Sequence, residues 1–317
     1  MVRGISKQLK IANCFSPSSD VNLLKGDASE TLKKIPDNSI NLIITSPPYN
    51  LNKDYEEREA FSDYLKKINP IIKELDRVLC DNGSICWQVG NYVNKGEIFP
   101  LDIFFYNSFK ELGYKLRNRI IWHFNSGLHA TKRFSGRYET MMWFTKSDDY
   151  IFNLDSIRIP QKYQGKTYHK GKKYGELSGN PKGKNPSDFW ELLKSEFDIG
   201  VMDFPNVKAN HPEKDSHPCQ FPIEFVERCV LAFSNEGHLV LDPFSGVGST
   251  ILGSVMNHRR AIGCEIIDEY IKKTRERLLL LQKGELPYRE KGKPIGKIGR
   301  AHVRTPVTSQ SRMPSSA

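Results

Sequence analysis

Six consecutive residues, Ile40 to Thr45 (INLIIT), constrain the fold of this chain more than any other stretch. They are apolar enough to be buried on both faces of a strand, and such a strand belongs in a parallel sheet covered by helices. The surrounding chain alternates the two periodicities that this fold needs. Asp20 to Asp27 reads as a short strand ending in an acid, and Gly83–Val89, Leu116–Trp122, Thr140–Thr145, Leu239–Asp242 and Ala261–Glu265 read as further strands. Helical spacing of apolar residues runs over Phe61–Cys80, Leu101–Leu112, Phe221–Ser234, Ser249–Met256 and Ile267–Gln282. From Asn153 to His217 the periodicity fades into Gly, Pro, Lys and Asn, with one short helix expected at Ser187–Ser195. The pattern predicts an α/β fold with a mostly parallel sheet, carrying residues 153–216 as an insertion.

The length of 317 residues accommodates two domains, or one α/β domain with a large insertion. With 38% hydrophobic residues the chain can build a core and is not disordered throughout. No run of 18 apolar residues occurs, and the basic start MVRGISKQLK has no apolar stretch behind it, so neither a membrane span nor a secretory signal is expected, and the expected location is the cytoplasm. The six cysteines are scattered without a CxxC pair, and the histidines include no HExxH, so neither a disulfide scaffold nor a metal site is expected.

The net charge of +10 is unevenly placed. Residues 157–186 hold eight Lys and Arg against Glu176, and residues 283–317 hold eight against Glu285 and Glu290, which leaves a nearly neutral body with two basic appendages. Basic segments attract polyanions through counterion release, although lysines also simply solvate loops. In the first segment Tyr163, Tyr168 and Tyr174 interleave with Gly165, Gly171 and Gly175, a pattern suited to sugar-phosphate contact and base stacking. The second ends in VRTPVTSQSRMPSSA, which has nothing to bury and reads as a frayed tail.

Two loops carry chemistry. In Leu239-Val-Leu-Asp242-Pro-Phe244-Ser-Gly246-Val-Gly248, a buried strand ends in an acid and a GxG turn precedes a helix, which lets backbone approach a ligand at a helix N-terminus. A GxG alone also serves as a plain structural turn. The third glycine of a dinucleotide fingerprint is absent, since residue 251 is Ile, and no P-loop occurs. Glu265 closes the next strand, where an acid can take a ribose diol; a nucleoside without pyrophosphate, such as S-adenosylmethionine, fits. The second loop, Thr45-Ser46-Pro47-Pro48-Tyr49, follows the INLII strand. Its prolines hold it extended, remove two N–H donors and leave carbonyls as acceptors beside a hydroxyl and an aromatic ring. Such a turn suits a flat ligand bearing an amino group, or is a rigid turn plugged by a tyrosine.

Together the loops resemble those of the β-class DNA amino-methyltransferases, with a (D/N/S)PP(Y/F) catalytic loop preceding an FxGxG cofactor loop. Asp27, Arg137-Tyr-Glu-Thr-Met-Met-Trp143 and His217-Pro-Cys-Gln-Phe-Pro222 are similar to further stretches of that class. The resemblance spans about residues 20–280 and implies a Rossmann-like S-adenosylmethionine-dependent methyltransferase with an inserted target-recognition region. Residues 20–152 would form the catalytic half, 153–216 the target-recognition insertion, 217–282 the cofactor-binding half and 283–317 a basic, flexible tail. It assigns catalysis to Ser46, Pro47, Pro48 and Tyr49, and the cofactor to Asp27, Asp242, Phe244, Gly246, Gly248 and Glu265. DNA contact is expected from Lys162, Lys166, Lys170, Lys172 and Lys173. Double-stranded DNA is the implied partner, alongside a companion restriction endonuclease, and the chain would act as a monomer or homodimer.

The resemblance implies methyl transfer to the exocyclic amino group of a flipped-out base, without a covalent enzyme intermediate. The Ser46 hydroxyl and Pro47 carbonyl would accept the amino hydrogens while Tyr49 stacks on the base. Ser46 is more typical of cytosine-N4 enzymes, whereas Asn50 and the RYETMMW and HPCQFP stretches resemble the adenine-N6 group, and adenine is the expected target. Pro218-Cys219-Gln220 imitates the cytosine-C5 nucleophile, but it precedes the cofactor loop and no ENV partner follows. An inactive DNA-binding protein, or an enzyme acting on RNA or on a protein amide, are the remaining alternatives.

Overall fold

The structure, a computed structural model, describes residues 5, 7–49, 60–124, 129–161, 163, 165–191, 202–203, 207, 211–215, 220 and 222–289. In chain order its elements are β1 (Ile11–Ala12), β2 (Val21–Lys25), α1 (Ala28–Thr31), β3 (Ile40–Thr45), α2 (Phe61–Val78), β4 (Leu79–Val89), β5 (Asn91–Asn94), β6 (Glu97–Pro100), α3 (Leu101–Glu111), β7 (Lys115–His123) and β8 (Tyr138–Thr145). There follow α4 (Leu154–Ile157), β9 (Phe189–Glu191), β10 (Met202–Asp203), α5 (Ile223–Phe233), β11 (Leu239–Asp242), α6 (Ser249–Met256), β12 (Arg260–Glu265) and α7 (Asp268–Lys283). Asn50, Lys162, Cys219 and most of the basic tail lie outside the described residues.

Ten strands form one sheet in the order β1-β2-β12-β11-β3-β4-β8-β7-β9-β10, and only β8 runs against its neighbours. This is the mostly parallel α/β sheet that the apolar runs predict. Alternation along β3 divides the core. Ile40 and Ile43 point into a layer with Tyr64, Ile68, Ile72 and Leu75 of α2 and Phe105 and Phe109 of α3. Leu42 and Ile44 point the other way, against Phe225, Val226, Cys229 and Val230 of α5. Along β2, Leu24 joins the first layer while Val21 and Leu23 meet α6 and α7 through Ile251, Leu252, Leu278 and Leu281. No described helix is long and apolar enough to cross a membrane.

Chain direction decides where a ligand can sit. From β3 the chain moves outward to β4, whereas from β11 it moves the opposite way to β12, so the order reverses between the adjacent strands β3 and β11. At such a switch point the loops leaving the two strands diverge and open a crevice beyond their carboxyl ends. The SPPY loop leaves β3 there and the FSGVG loop leaves β11.

One local expectation differs. Within the helix expected at Ser187–Ser195, Phe189–Glu191 form the strand β9, paired with β7 through Ile121↔Phe189 and Trp122↔Trp190, and residues 192–195 lie outside the described residues. The unpaired edge of β7 supplies backbone partners, and Trp190 is buried with its ring 5.2 Å from that of Phe225. Tertiary pairing thus overrides a weak local helical preference. The hairpin β5–β6, with Lys95 and Gly96 at positive φ in its turn, is not legible from periodicity because its strands are only four residues each.

Residues 153–216 contribute β9 and β10 to the far side of the sheet. Between α4 and β9 the described chain holds only isolated bridges, Ile159↔Lys184, Thr167↔Leu177 and Tyr168↔Tyr174. Tyr163, Tyr168, Tyr174 and the described lysines Lys166, Lys170, Lys172 and Lys173 are exposed. Because Ile43 is fully buried at the centre of the sheet, Ile43→Ala should cost about 2–5 kcal/mol, read as a lowered midpoint in urea unfolding.

Candidate functional site

The carboxyl ends of β2, β12, β11 and β3 border a solvent-open cleft. Ser46, Pro47, Pro48 and Tyr49 line one side, while Asp27, Asp242, Phe244, Gly246 and Glu265 line the other. Nine of the ten residues assigned above to catalysis and cofactor therefore share one continuous space. Gly248, the tenth, sits just behind it as the left-handed N-cap of α6, at φ +80. A Cβ on Gly248 would lie 2.5 Å from Thr274 Cγ2, so both backbone conformation and space require glycine.

Asp242 holds the two loops together. It is 3% exposed, and its Oδ1 accepts from Thr45 Oγ1 at 2.7 Å and from the Phe244 N–H at 3.1 Å, while Oδ2 accepts from Thr250 Oγ1 at 2.7 Å. Thr45 precedes the SPPY loop and Thr250 lies in the first turn of α6, so one carboxylate anchors β3, β11 and α6. Burial pushes its pKa up to about 6, against the pull of the Thr250, Thr45 and Phe244 donors.

Glu265, at the end of the neighbouring strand β12, braces the glycine loop in a similar way. Its Oε2 accepts from Gly246 N–H and its Oε1 from Ile267 N–H, each at 2.8 Å. Burial raises this carboxyl above the ordinary range, and the backbone N–H bonds oppose the rise. Helix α7 completes the loop from behind, with Thr274 Oγ1 donating to Gly246 O at 3.2 Å and Arg277 Nη1 to Val247 O at 2.6 Å. Asp27 is the N-cap of α1, its Oδ1 accepting from Ser29 N–H at 2.8 Å.

On the opposite side a chain of hydrogen bonds orients the SPPY loop. Ser46 Oγ–H donates to Tyr49 Oη at 2.7 Å, Tyr49 Oη–H donates to Gln88 Oε1 at 2.6 Å, and Gln88 Nε2 donates to Glu139 Oε2. Since the hydroxyl proton of Ser46 is directed at Tyr49, the lone pairs of Ser46 Oγ face any other partner as acceptors. Tyr64 Oη–H donates to the Pro48 carbonyl at 2.6 Å. Gly90 allows the Tyr49 ring its place, since a Cβ there would come within 3.2 Å of Tyr49 Cε2.

Sequence reasoning missed the supports: Thr45, Thr250, Tyr64, Gln88, Thr274 and Arg277. One signal was available, because Gln88 is a polar residue inside the apolar strand ICWQV. Glu139 belongs to the RYETMMW stretch singled out above, and in the structure it accepts from Gln88 of the Tyr49–Gln88 chain.

The described cleft lining suits S-adenosylmethionine. It holds the carboxyl groups of Asp27, Asp242 and Glu265 and no Lys, Arg or His. Such a lining favours a ligand with ammonium and sulfonium charges and opposes a pyrophosphate. The glycine loop offers close backbone approach, and half-buried Phe244 offers an apolar face.

The titration of Asp242 has a testable consequence. Its folded pKa near 6 lies above the ordinary 3.8, so the folded chain takes up the proton first. The associated stability is full below about pH 3.8 and is lost as pH rises through 6. Relative to Asp242→Asn, the wild type should lose up to about 3 kcal/mol between about pH 4 and pH 7, measured by urea unfolding. A pH-independent difference would mean that the three donors hold the carboxylate at its ordinary value.

Comparison with known proteins agrees with this geometry. Residues 40–276 match the N6/N4 family of DNA methylases. The chain is 47% identical to the type II methyltransferase M.BglII of Bacillus subtilis over 257 residues, covering 80% of this chain and 68% of that protein. It is 33% identical to the DNA adenine methyltransferase YhdJ of Escherichia coli K12 over 265 residues, covering 81% of this chain and 82% of that one. Among solved structures, a DNA modification methylase of Thermus thermophilus in complex with S-adenosyl-L-methionine superposes with a TM-score of 0.56 at 25% identity, covering 83% of this chain and 96% of that one. The chain belongs to the S-adenosylmethionine-dependent amino-methyltransferase family of DNA, of the restriction–modification type.

Proposed function

We propose that this protein methylates the exocyclic amino group of a base turned out of duplex DNA, at a specific sequence, with adenine N6 as the target. The observation that carries the reading is the shared cleft, in which an acceptor-rich aromatic loop faces an acid-lined glycine loop. S-adenosylmethionine supplies an electrophilic methyl group when bound. Glu265 would take its ribose, Asp27 and Asp242 would line the pocket, and Phe244 and Gly246 would frame the methionine part, with Gly248 shaping the loop from behind. Across the cleft, the amino nitrogen is a poor nucleophile because its lone pair is delocalised into the ring. Ser46 Oγ and the Pro47 carbonyl would accept its hydrogens, which favours pyramidal nitrogen and localises that pair. Tyr49, oriented by Gln88, would stack on the base, and the two prolines would fix the distance between acceptors and ring.

A second reading, cytosine N4, has one observation in its favour. Ser46, the residue more typical of cytosine enzymes, lines the cleft itself. Of the adenine cues, Asn50 lies outside the described residues and Glu139 accepts from Gln88, which in turn accepts from Tyr49. Gln220 lines the cleft but directs its amide at Asp215 N–H and Glu213 O. The name of the Escherichia coli relative supports adenine. The test is to incubate the protein with unmethylated genomic DNA and S-adenosylmethionine, digest to nucleosides and analyse by mass spectrometry. N6-methyladenine supports the proposal, N4-methylcytosine transfers it to the second reading, and 5-methylcytosine or no product refutes both.

Sequence choice is assigned to residues 153–216, and the type II designation of M.BglII supports a companion endonuclease acting on the same site. Replacing Tyr49 by Phe should lower turnover about tenfold by breaking the Ser46–Gln88 connection, and Tyr49→Ala about a further tenfold by removing the ring. Replacing Lys166, Lys170, Lys172 and Lys173 together by Ala should weaken DNA binding and flatten the slope of log affinity against log salt by up to about 3.6, read by filter binding.

A further inference from the structure

Phe134 is 98% exposed, the most exposed large apolar side chain among the described residues. It stands in the connection between β7 and β8, within His129-Ala-Thr-Lys-Arg-Phe-Ser-Gly-Arg137. From Phe124 to Tyr138 the sequence contains Lys132, Arg133 and Arg137 and no Asp or Glu. A single exposed apolar residue is ordinary on a protein surface. An isolated phenyl ring flanked by cations, on a turn, has the composition of a surface that meets nucleic acid.

Its position gives that composition a purpose. Strand β8 is antiparallel to β4, with Val89 opposite Thr140, and β7 is antiparallel to β8, with His123 opposite Tyr138. The β7–β8 turn therefore leaves the same edge of the sheet as the SPPY loop. Glu139, just inside β8, is tied through Gln88 to Tyr49. The turn has its own internal bonds, since Ser135 Oγ accepts from Ala130 N–H at 3.1 Å and Phe124 N–H donates to Arg137 O at 2.8 Å. Arg133 donates to Phe134 O, and Arg137 to Gly136 O. These bonds brace the backbone beneath the ring.

We infer that Phe134 is a wedge that enters the duplex beside the target base and fills the space vacated when that base turns into the cleft. Lys132, Arg133 and Arg137 contact the flanking phosphates. The inference rests on the base-methylating reading above. A ring that occupies the vacated stack lowers the free energy of the extruded state, so its removal slows turnover even when DNA is saturating. A ring that only helped docking would change the DNA concentration required and leave turnover alone.

The test compares wild type, Phe134→Ala and Phe134→Trp for methyl transfer to unmethylated genomic DNA, with S-adenosylmethionine affinity measured separately by calorimetry. Phe134→Ala should lose at least about fivefold in kcat, Phe134→Trp should stay within about twofold of wild type, and both should bind S-adenosylmethionine as wild type does. The wedge is overturned by a smaller loss in Phe134→Ala, by a loss confined to KM, or by equal impairment of the Ala and Trp variants. Altered cofactor affinity in Phe134→Ala would also overturn it, by making the effect one on the fold. Absence of methyl transfer by the wild type would instead refute the base-methylating reading, and the wedge with it.

Discussion

One buried carboxylate, Asp242, is the acceptor on which the rest of the site depends. A buried anion is costly unless donors surround it, and here they come from three places: the Phe244 backbone, Thr250 in α6 and Thr45 at the end of β3. The Thr45 bond spans 197 residues of sequence. Through it, the loop that would hold the base and the loop that would hold the cofactor are referred to a common point. Any drift of β3 against β11 would break hydrogen bonds to a carboxylate that is buried away from water. The strand ladder aligns the two loops coarsely, and the carboxylate sets their separation.

Charge is divided in a way that follows from this arrangement. The cleft lining carries acids and no cationic side chain among the described residues, whereas the β7–β8 turn and residues 157–186 carry a local excess of Lys and Arg over Asp and Glu. Such a division would attract a cationic cofactor into the cleft and a polyanion to the basic segments. A phosphate entering the cleft would meet the carboxyl groups of Asp27, Asp242 and Glu265. A neutral base would enter without that penalty, which is the electrostatic counterpart of the aromatic and acceptor groups on the SPPY side.

Much of the fold was readable because its signals are local. The apolar runs at β3 and β11 and the helical spacing over α2, α3, α5 and α7 each depend on residues within a few positions of one another. The candidate site was readable for the same reason: SPPY and FSGVG are contiguous loops whose prolines and glycines restrict the backbone directly. The supporting shell was not. Gln88, Tyr64, Thr274 and Arg277 act across elements, and their immediate neighbours do not reveal their partners. The strand at Phe189–Glu191 was not legible for a related reason, since the edge of β7 that it pairs with lies far away in sequence.

By itself the sequence determined the chemistry on offer: an extended acceptor-rich loop with an aromatic ring, a glycine loop bounded by acids, and basic segments around a near-neutral body. These are properties of short stretches, set by proline, glycine and charge. Only the tertiary structure decided that β3 and β11 are neighbours, that Asp242 binds both Thr45 and Thr250, and that the turn bearing Phe134 shares an edge with the SPPY loop. Those facts depend on strand order, and strand order is set by the burial of whole faces of helices and sheet. The energy that selects it is spread over the core of the molecule, so no single stretch of residues records it.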